Sequence, residues 1–217
     1  MSGIHLVNGL AGLLIVTSLL VVTARKPAHS AMFYAAQSFV LVLVFLALAG
    51  VTGSHELYTW SATAFFTKVI LVPVIMSRLF GRLEDQKLGT GERISPALSV
   101  ILAAVVVVLC FVVVSGVALP TAEAVKPALA ISLAHFFLGL ACIVTQRNIL
   151  KQVFGYCLME NGSHLTLALL AANAPELVEV GIATDAIFAV VVMAVLGMQI
   201  HRTLGTLDAD QLTTLKG

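Results

Sequence analysis

This chain has little charge. Of its 217 residues only 11% are Asp, Glu, Lys or Arg, while 59% are hydrophobic. An average soluble domain carries about 25% charged residues. A soluble fold of this length has too little interior to hide so much apolar surface, which leaves lipid as the solvent. The formal net charge is +1, so nothing points to nucleic acid or to an acidic substrate. The first apolar run, Leu6 to Thr23, lacks a preceding basic region and is long. It reads as a membrane helix and not as a cleaved signal. Cysteine is scarce too. Cys110, Cys142 and Cys157 all lie inside apolar runs and form no CxxC pair. A metal or iron–sulfur site needs several clustered thiolates or imidazoles. These three are expected to be small, polarisable core residues, and no metal or redox cofactor is expected in this chain alone.

What the sequence has in abundance is long apolar runs. A spanning helix needs about 20 apolar residues. Seven runs qualify: 5–24, 31–51, 57–78, 95–118, 127–146, 149–173 and 177–201. Stop signals separate them. Arg25-Lys26-Pro27 follows the first, Arg78 to Arg82 the third, Pro120 and Pro127 bracket the approach to the fifth, and Pro175 parts the last two. The runs are continuous, not alternating, which argues against a β-barrel. The expected fold is all-α, a polytopic membrane protein with about seven transmembrane helices. Loops are short except for 79–94, rich in Gly and charge. None could hold a soluble catalytic domain, so no catalytic residue is expected here.

The few charges are unevenly spread. With seven spans, Arg25, Lys26, Arg78, Arg82, Lys87, Arg93, Arg147, Lys151, Arg202 and Lys216 fall on one side. Lys126 alone falls on the other, with Glu56, Glu123, Glu176 and Glu179. Cytoplasmic loops collect Lys and Arg. The expected orientation is an N-terminus outside and a C-terminus in the cytoplasm, with Glu56, Glu176 and Glu179 solvated at the outer surface.

Four ionisable residues fall at membrane depth. At about 1.5 Å per residue, Glu160 lies near mid-bilayer in the sixth run and Asp185 about 12 Å from the outer side in the seventh. Lys68 is near the centre of the third run. His164 is one helical turn from Glu160, on the same face. A charge at the bilayer centre costs at least about 2.5–3.5 kcal/mol on insertion scales. Such residues face a cavity, pair with each other, or relay protons. Glu160, Asp185, Lys68 and His164 are therefore the candidate proton or charge relay. The alternative is structural, with Lys68 neutralising a carboxylate to lock helices together. His135 is read mainly as a packing residue.

A weak internal repeat is also present. At an offset of about 122 residues, Val22-Thr23-Ala24-Arg25 meets Val144-Thr145-Gln146-Arg147, and Tyr34 meets Tyr156. Ala64-Phe65-Phe66 then meets Ala186-Ile187-Phe188. Such repeats are common in transporter-like folds. In this register Ser38 and Thr63 take the places of Glu160 and Asp185, leaving Gln37 and Lys68 as the polar groups of the first copy. The chain divides accordingly into an N-terminal three-helix unit (1–94), a linking helix (95–126) and a C-terminal three-helix unit (127–217).

The run HFFLGLACIVTQRNILKQVFGYCLMENGSHLTLALL and the tail GIATDAIFAVVVMAVLGMQIHRTLGTLDADQLTTLKG resemble the K subunit of NADH:quinone oxidoreductase, complex I. That subunit is a three-helix protein with a buried glutamate in each of its last two helices. Glu160 matches the first, and Asp185 falls at the second with a shorter carboxylate. Over the whole chain, from Val7-Asn8-Gly9-Leu10-Ala11-Gly12-Leu13 through Trp60-Ser61-Ala62 and Thr67-Lys68-Val69 to the C-terminus, the sequence resembles the hydrogenase-4 component E family.

That resemblance implies a multi-pass subunit in the membrane arm of a group 4 [NiFe]-hydrogenase, in a bacterial inner membrane. Such enzymes are complex I-like and couple formate oxidation to hydrogen production, as in formate hydrogenlyase. The nickel–iron centre and iron–sulfur clusters would reside in partner subunits, and antiporter-like subunits would be membrane neighbours. Glu160 and Asp185 would then lie on a polar axis contributing to proton translocation. Two alternatives stand beside this one: a subunit of a multisubunit cation/proton antiporter, and a structural membrane scaffold.

Overall fold

The computed structural model describes residues 2–24, 26–81, 95–120 and 122–213. Arg25, Lys216, and most of the charged 79–94 loop with Arg82, Lys87 and Arg93 lie outside the described residues. Within them the chain is all-helical, with no named strand and one isolated bridge, Asn148 to Asp208. Seven long helices follow in order: α1 (Ser2–Thr23), α2 (Pro27–Thr52), α3, α4 (Pro96–Ser115), α5 (Lys126–Thr145), α6 (Ile149–Leu170) and α7 (Glu176–Leu204). The rod α3 is composite, with α-helix at His55–Ala64, π-helix at Phe65–Leu71 and α-helix at Val72–Gly81.

Local sequence explains the ends. Pro27 and Pro96 do not simply stop the preceding element. Each occupies the first turn of its own helix, where the missing N–H costs nothing and the fixed φ suits the helix. Helix α2 therefore begins four residues earlier than hydropathy indicated. Ser54, Ser95 and Asn148 cap α3, α4 and α6, accepting from the N–H groups of Leu57, Leu98 and Leu150. Gly53 ends α2 and Gly205 ends α7 with positive φ, the left-handed conformation that glycine adopts without strain. The π-turn in α3 has its own cause. Pro73 has no N–H and its ring would strike the carbonyl four residues back. The Val72 N–H instead bonds Thr67 O, five residues back, and the wider turn carries Lys68.

Among the described residues six helices are long and apolar enough to cross a membrane: Gly3–Thr23, Ala28–Thr52, His55–Arg78, Pro96–Ser115, Glu123–Thr145 and Leu177–Leu204. Helix α6 has the length, at 22 residues, but is not among the six. Its Glu160-Asn161-Gly162-Ser163-His164 stretch dilutes its apolarity. The packing supplies what composition does not, because α6 is enclosed by α1, α2, α5 and α7.

The helices form two facing rows. One row is α1, α2 and α3, the other α5, α6 and α7. Each helix touches its counterpart, α1 on α5, α2 on α6 and α3 on α7, and α4 closes one side against α1 and α5. The helix ends recur at the repeat offset: Thr23 and Pro27 in the first row correspond to Thr145 and Ile149 in the second. One end of the bundle holds the α1–α2 and α5–α6 turns, the end of α3 and the end of α7. Lys26, Arg78, Arg147, Lys151 and Arg202 all belong to it, and it is called the basic end below. The opposite end holds the α2–α3 and α6–α7 turns, which meet where the Ser54 hydroxyl donates to Ala172 O at 2.6 Å.

Without a hydrophobic drive between helices in lipid, close packing needs small residues. The α5–α6 contact shows it. A Cβ on Gly139 would lie 2.3 Å from Met159 N, and one on Gly162 would lie 2.5 Å from Phe136 N. Only glycine lets these backbones approach so closely.

Two charges expected in solvent are instead buried. Lys151 is 4% exposed and donates to Val21 O and Val22 O at 3.1 and 3.2 Å. It satisfies carbonyls that the last turn of α1 leaves open, so it is a packing residue at the basic end and not a loop cation. Glu179, expected at the outer surface, is 2% exposed. It sits one turn into α7, on the side facing the other helices. Glu56 is half-buried, its carboxylate 2.9 Å from the Ser54 hydroxyl; the side chain of Glu176 lies outside the described residues. The tail after α7 returns to the α5–α6 turn. Ile149 N bonds Leu207 O, Ala209 N bonds Arg147 O, and Arg147 pairs with Asp210 at 2.7 Å.

Candidate functional site

The centre of the bundle holds polar groups where lipid-facing helices would have none. Lys68, Gln37, Ser18, His135 and Asn161 are each fully buried. They come from five different helices, and the π-turn of α3 delivers the lysine.

Their hydrogen bonds form one directed chain. Lys68 Nζ donates to Asn161 Oδ1 at 2.8 Å, and Asn161 Nδ2 donates to Gln37 Oε1 at 2.8 Å. Gln37 Nε2 lies 3.0 Å from His135 Nε2, and His135 Nδ1 lies 2.7 Å from Ser18 Oγ. The Ser18 hydroxyl hydrogen is committed to Leu14 O. Ser18 Oγ therefore accepts from His135 Nδ1–H, which leaves His135 Nε2 as acceptor for the Gln37 amide. Every group is satisfied with a neutral imidazole. Aligned bonds of this kind polarise one another, and the chain directs its acceptors toward the lysine ammonium.

Lys68 also meets Glu160, at 2.5 Å. The carboxylate side chain is 13% exposed, the ammonium not at all. Desolvating both ions costs several kcal/mol each, and the mutual attraction and added hydrogen bonds must offset that. Asn161 supplies one such bond.

Glu160 opens onto a cavity of about 300 Å³ between α6 and α7, lined by Tyr156, Ser163, His164, Ile182 and Asp185 among others. Of the four expected relay residues, then, Glu160, His164 and Asp185 line one cavity and Lys68 binds Glu160 from behind. Asp185 is exposed and has no ion-pair partner among the described residues. His164, 1% exposed, packs against Phe45 and Trp60 with ring centroids 4.8 and 5.4 Å away. Its Nε2 lies 2.6 Å from Glu179 Oε2, but out of line for a good hydrogen bond.

Sequence reading missed Glu179, because three residues from a helix start looks like solvent. Period-3.6 counting would have found it, since Glu179 shares a face with Ala183, Ala186 and Val190, all buried. Asn161 and Gln37 were noted only as local polarity or as marks of a repeat. The cysteines fall on α4, α5 and α6 as buried free thiols, and among the described residues no cluster of His, Cys, Asp and Glu could hold a metal.

The chain is similar to known proteins over its C-terminal part and over its full length. Residues 127–217 match the family described as NADH-ubiquinone/plastoquinone oxidoreductase chain 4L. Over all 217 residues the chain is 56% identical to hydrogenase-4 component E of Escherichia coli (strain K12), covering 100% of both chains. The proteins of that name from Escherichia coli O157:H7 and Shigella flexneri match to the same extent. No solved structure matches. With full-length identity at this level, the chain belongs to the hydrogenase-4 component E family.

Proposed function

We propose that this protein is a membrane-arm subunit of a complex I-like [NiFe]-hydrogenase, and that it moves protons or charge between Glu160 and Asp185 during hydrogen metabolism. One observation carries this reading: a buried ammonium–carboxylate pair, Lys68 and Glu160, borders a cavity that a second carboxylate, Asp185, also lines. Intramembrane ionisable groups that face a cavity mark ion or proton paths. Lys68 holds a charge beside Glu160. Charge arriving at or leaving Asp185 changes the energy of the Glu160 carboxylate, and the low-dielectric surroundings strengthen that coupling.

The route is selective about what it can carry. Carboxyl, imidazole and amine groups exchange protons readily. Amide groups keep their donors and acceptors fixed. Asn161 and Gln37 therefore orient Lys68 without passing protons to His135, which makes His135 a structural anchor. Exchange thus bypasses the amide chain and runs through Lys68, Glu160 and the cavity.

In this reading α6 is the seventh span, and the units 1–94 and 127–217 form the two rows joined by 95–126. The basic end faces the cytoplasm of a bacterial inner membrane, so the N-terminus is outside. Partner subunits hold the nickel–iron centre and iron–sulfur clusters, and antiporter-like subunits flank the chain. Affinity purification of the tagged chain from mild-detergent membranes tests the assignment. Hydrogenase and antiporter-like subunits should co-purify. Recovery with antiporter-like subunits alone would overturn the hydrogenase reading in favour of cation/proton antiport.

The direct Lys68–Glu160 contact favours one competing reading, a structural lock in a scaffold. The two part at Glu160→Gln. As a relay residue, its loss abolishes proton translocation in an assembled complex. As a lock, its loss prevents assembly.

A further inference from the structure

Seven buried side-chain nitrogen or oxygen atoms lack a hydrogen-bond partner among the described residues. Five of them gather at one place: Trp60 Nε1, both ring nitrogens of His164, and both carboxylate oxygens of Glu179. An orphaned buried polar atom is costly and needs an explanation, and here two of the five, His164 Nε2 and Glu179 Oε2, face each other at 2.6 Å. This cluster is separate from the Lys68–Asn161–Gln37–His135 chain, whose groups are all satisfied.

We propose that Glu179 and His164 form a proton-access branch joining the Glu160 cavity to the end of the bundle where α7 begins. The branch deepens the relay reading and rests on it. Its geometry follows the helices. Glu179 is three residues from the start of α7, about 4.5 Å along the axis. His164 is six residues from the end of α6, about 9 Å in, and lines the same cavity as Glu160 and Asp185. Glu160 is one further turn inward. A carboxyl, an imidazole and a second carboxyl thus descend from the bundle end in steps of about one turn. The titratable and charged groups facing the pair are Glu160 and Asp185 in the cavity and Lys68 behind Glu160.

The step balances simply. Once the two groups turn into line, a proton on Glu179 Oε2 passes to His164 Nε2, 2.6 Å away, leaving a carboxylate beside an imidazolium. The imidazolium then releases its Nδ1 proton, through water in the cavity, to the Glu160 carboxylate. Return of the imidazole to its first tautomer, with a new proton arriving at Glu179 from the bundle end, completes the cycle. Histidine suits this because its two nitrogens take and give protons on different sides. Trp60 and Phe45 hold the ring in place, and Trp60 Nε1 is a further buried donor without a partner among the described residues.

The test uses the whole complex in inverted membrane vesicles, with proton uptake followed by a pH-sensitive dye during hydrogenase turnover. Glu179→Gln and His164→Gln should each slow proton translocation about tenfold or more, and the double variant should be no slower than either alone, since both sit on one path. Glu179→Asp should restore part of the rate. If Glu160→Gln abolishes translocation while Glu179→Gln matches wild type, the access branch is wrong and the relay reading stands. If Glu160→Gln has no effect, the relay reading fails, and a second measurement decides the branch alone. Nitrogen NMR of His164 in the full chain in lipid bilayers should show its titration midpoint displaced by Glu179→Gln. An unchanged midpoint would make the pair a packing contact and overturn the proposal.

Discussion

Lys68 and Glu160 lie on helices of opposite rows, yet their charged atoms meet at 2.5 Å with the lysine fully buried. The contact exists because a π-turn widens α3 at the lysine and because α6 presents Glu160 and Asn161 side by side. Breaking such a pair from one side strands the other ion. Lys68→Met should therefore destabilise the protein by about 3 kcal/mol, and Lys68→Met with Glu160→Gln should be less destabilised than Lys68→Met alone. Unfolding in detergent, followed by fluorescence of Trp60, the only tryptophan, measures both. Additive losses would show that the pair is not coupled.

Gln37 is the bridge between His135 and Asn161. Gln37→Leu removes a donor and an acceptor at once and leaves polar atoms of both neighbours buried without partners. The expected loss is about 1–3 kcal/mol. Ser38→Ala, whose longer contacts at 3.3 and 3.4 Å are weaker, should cost less. Comparing melting temperatures of the two variants checks the order.

Glycine matters where backbones touch and not elsewhere. Gly162→Ala places a methyl 2.5 Å from Phe136 N, against backbone that cannot move aside, and should cost about 1–3 kcal/mol. Gly181→Ala has open space around its Cβ and should be neutral or stabilising by up to about 1 kcal/mol, since alanine favours helix. Thermal unfolding of the two proteins side by side distinguishes packing from propensity.

Asp185 is exposed at the mouth of the cavity. Asp185→Asn should change fold stability by no more than about 0.5 kcal/mol while lowering proton translocation by the assembled complex. A large stability loss without a coupling defect would make Asp185 a structural residue. Measuring both quantities on one variant separates the roles.

Much of this was legible in the order of residues. Apolar runs located the seven long helices, although only six of them are apolar enough to cross a membrane, since α6 carries a polar stretch that its neighbours enclose. They also singled out Glu160, Lys68 and His164, because an ionisable residue in such a run is conspicuous. The repeat offset aligned α1 with α5 and α2 with α6 along the sequence, and the helix ends recur at that spacing, but that the two rows face each other was not legible in it. Hydropathy had less to say about helix ends. Pro27 looked like a stop and is a start, since a proline's place within the first turn depends on the backbone that precedes it.

By itself the sequence determined the solvent, the number of helices and the family, since each depends on composition and order along one chain. The tertiary structure decided which polar groups meet. Lys68 could have neutralised either carboxylate, and only the crossing of α3 with α6 selects Glu160. Glu179 and Lys151 look like surface charges in one dimension, and only helix packing turns them inward, one to His164 and the other to the last carbonyls of α1. Partners separated by a hundred residues are chosen by the rotation of each helix about its axis. That rotation is fixed by close backbone contacts such as Gly139 and Gly162 against their neighbours, and those contacts exist only in the folded bundle.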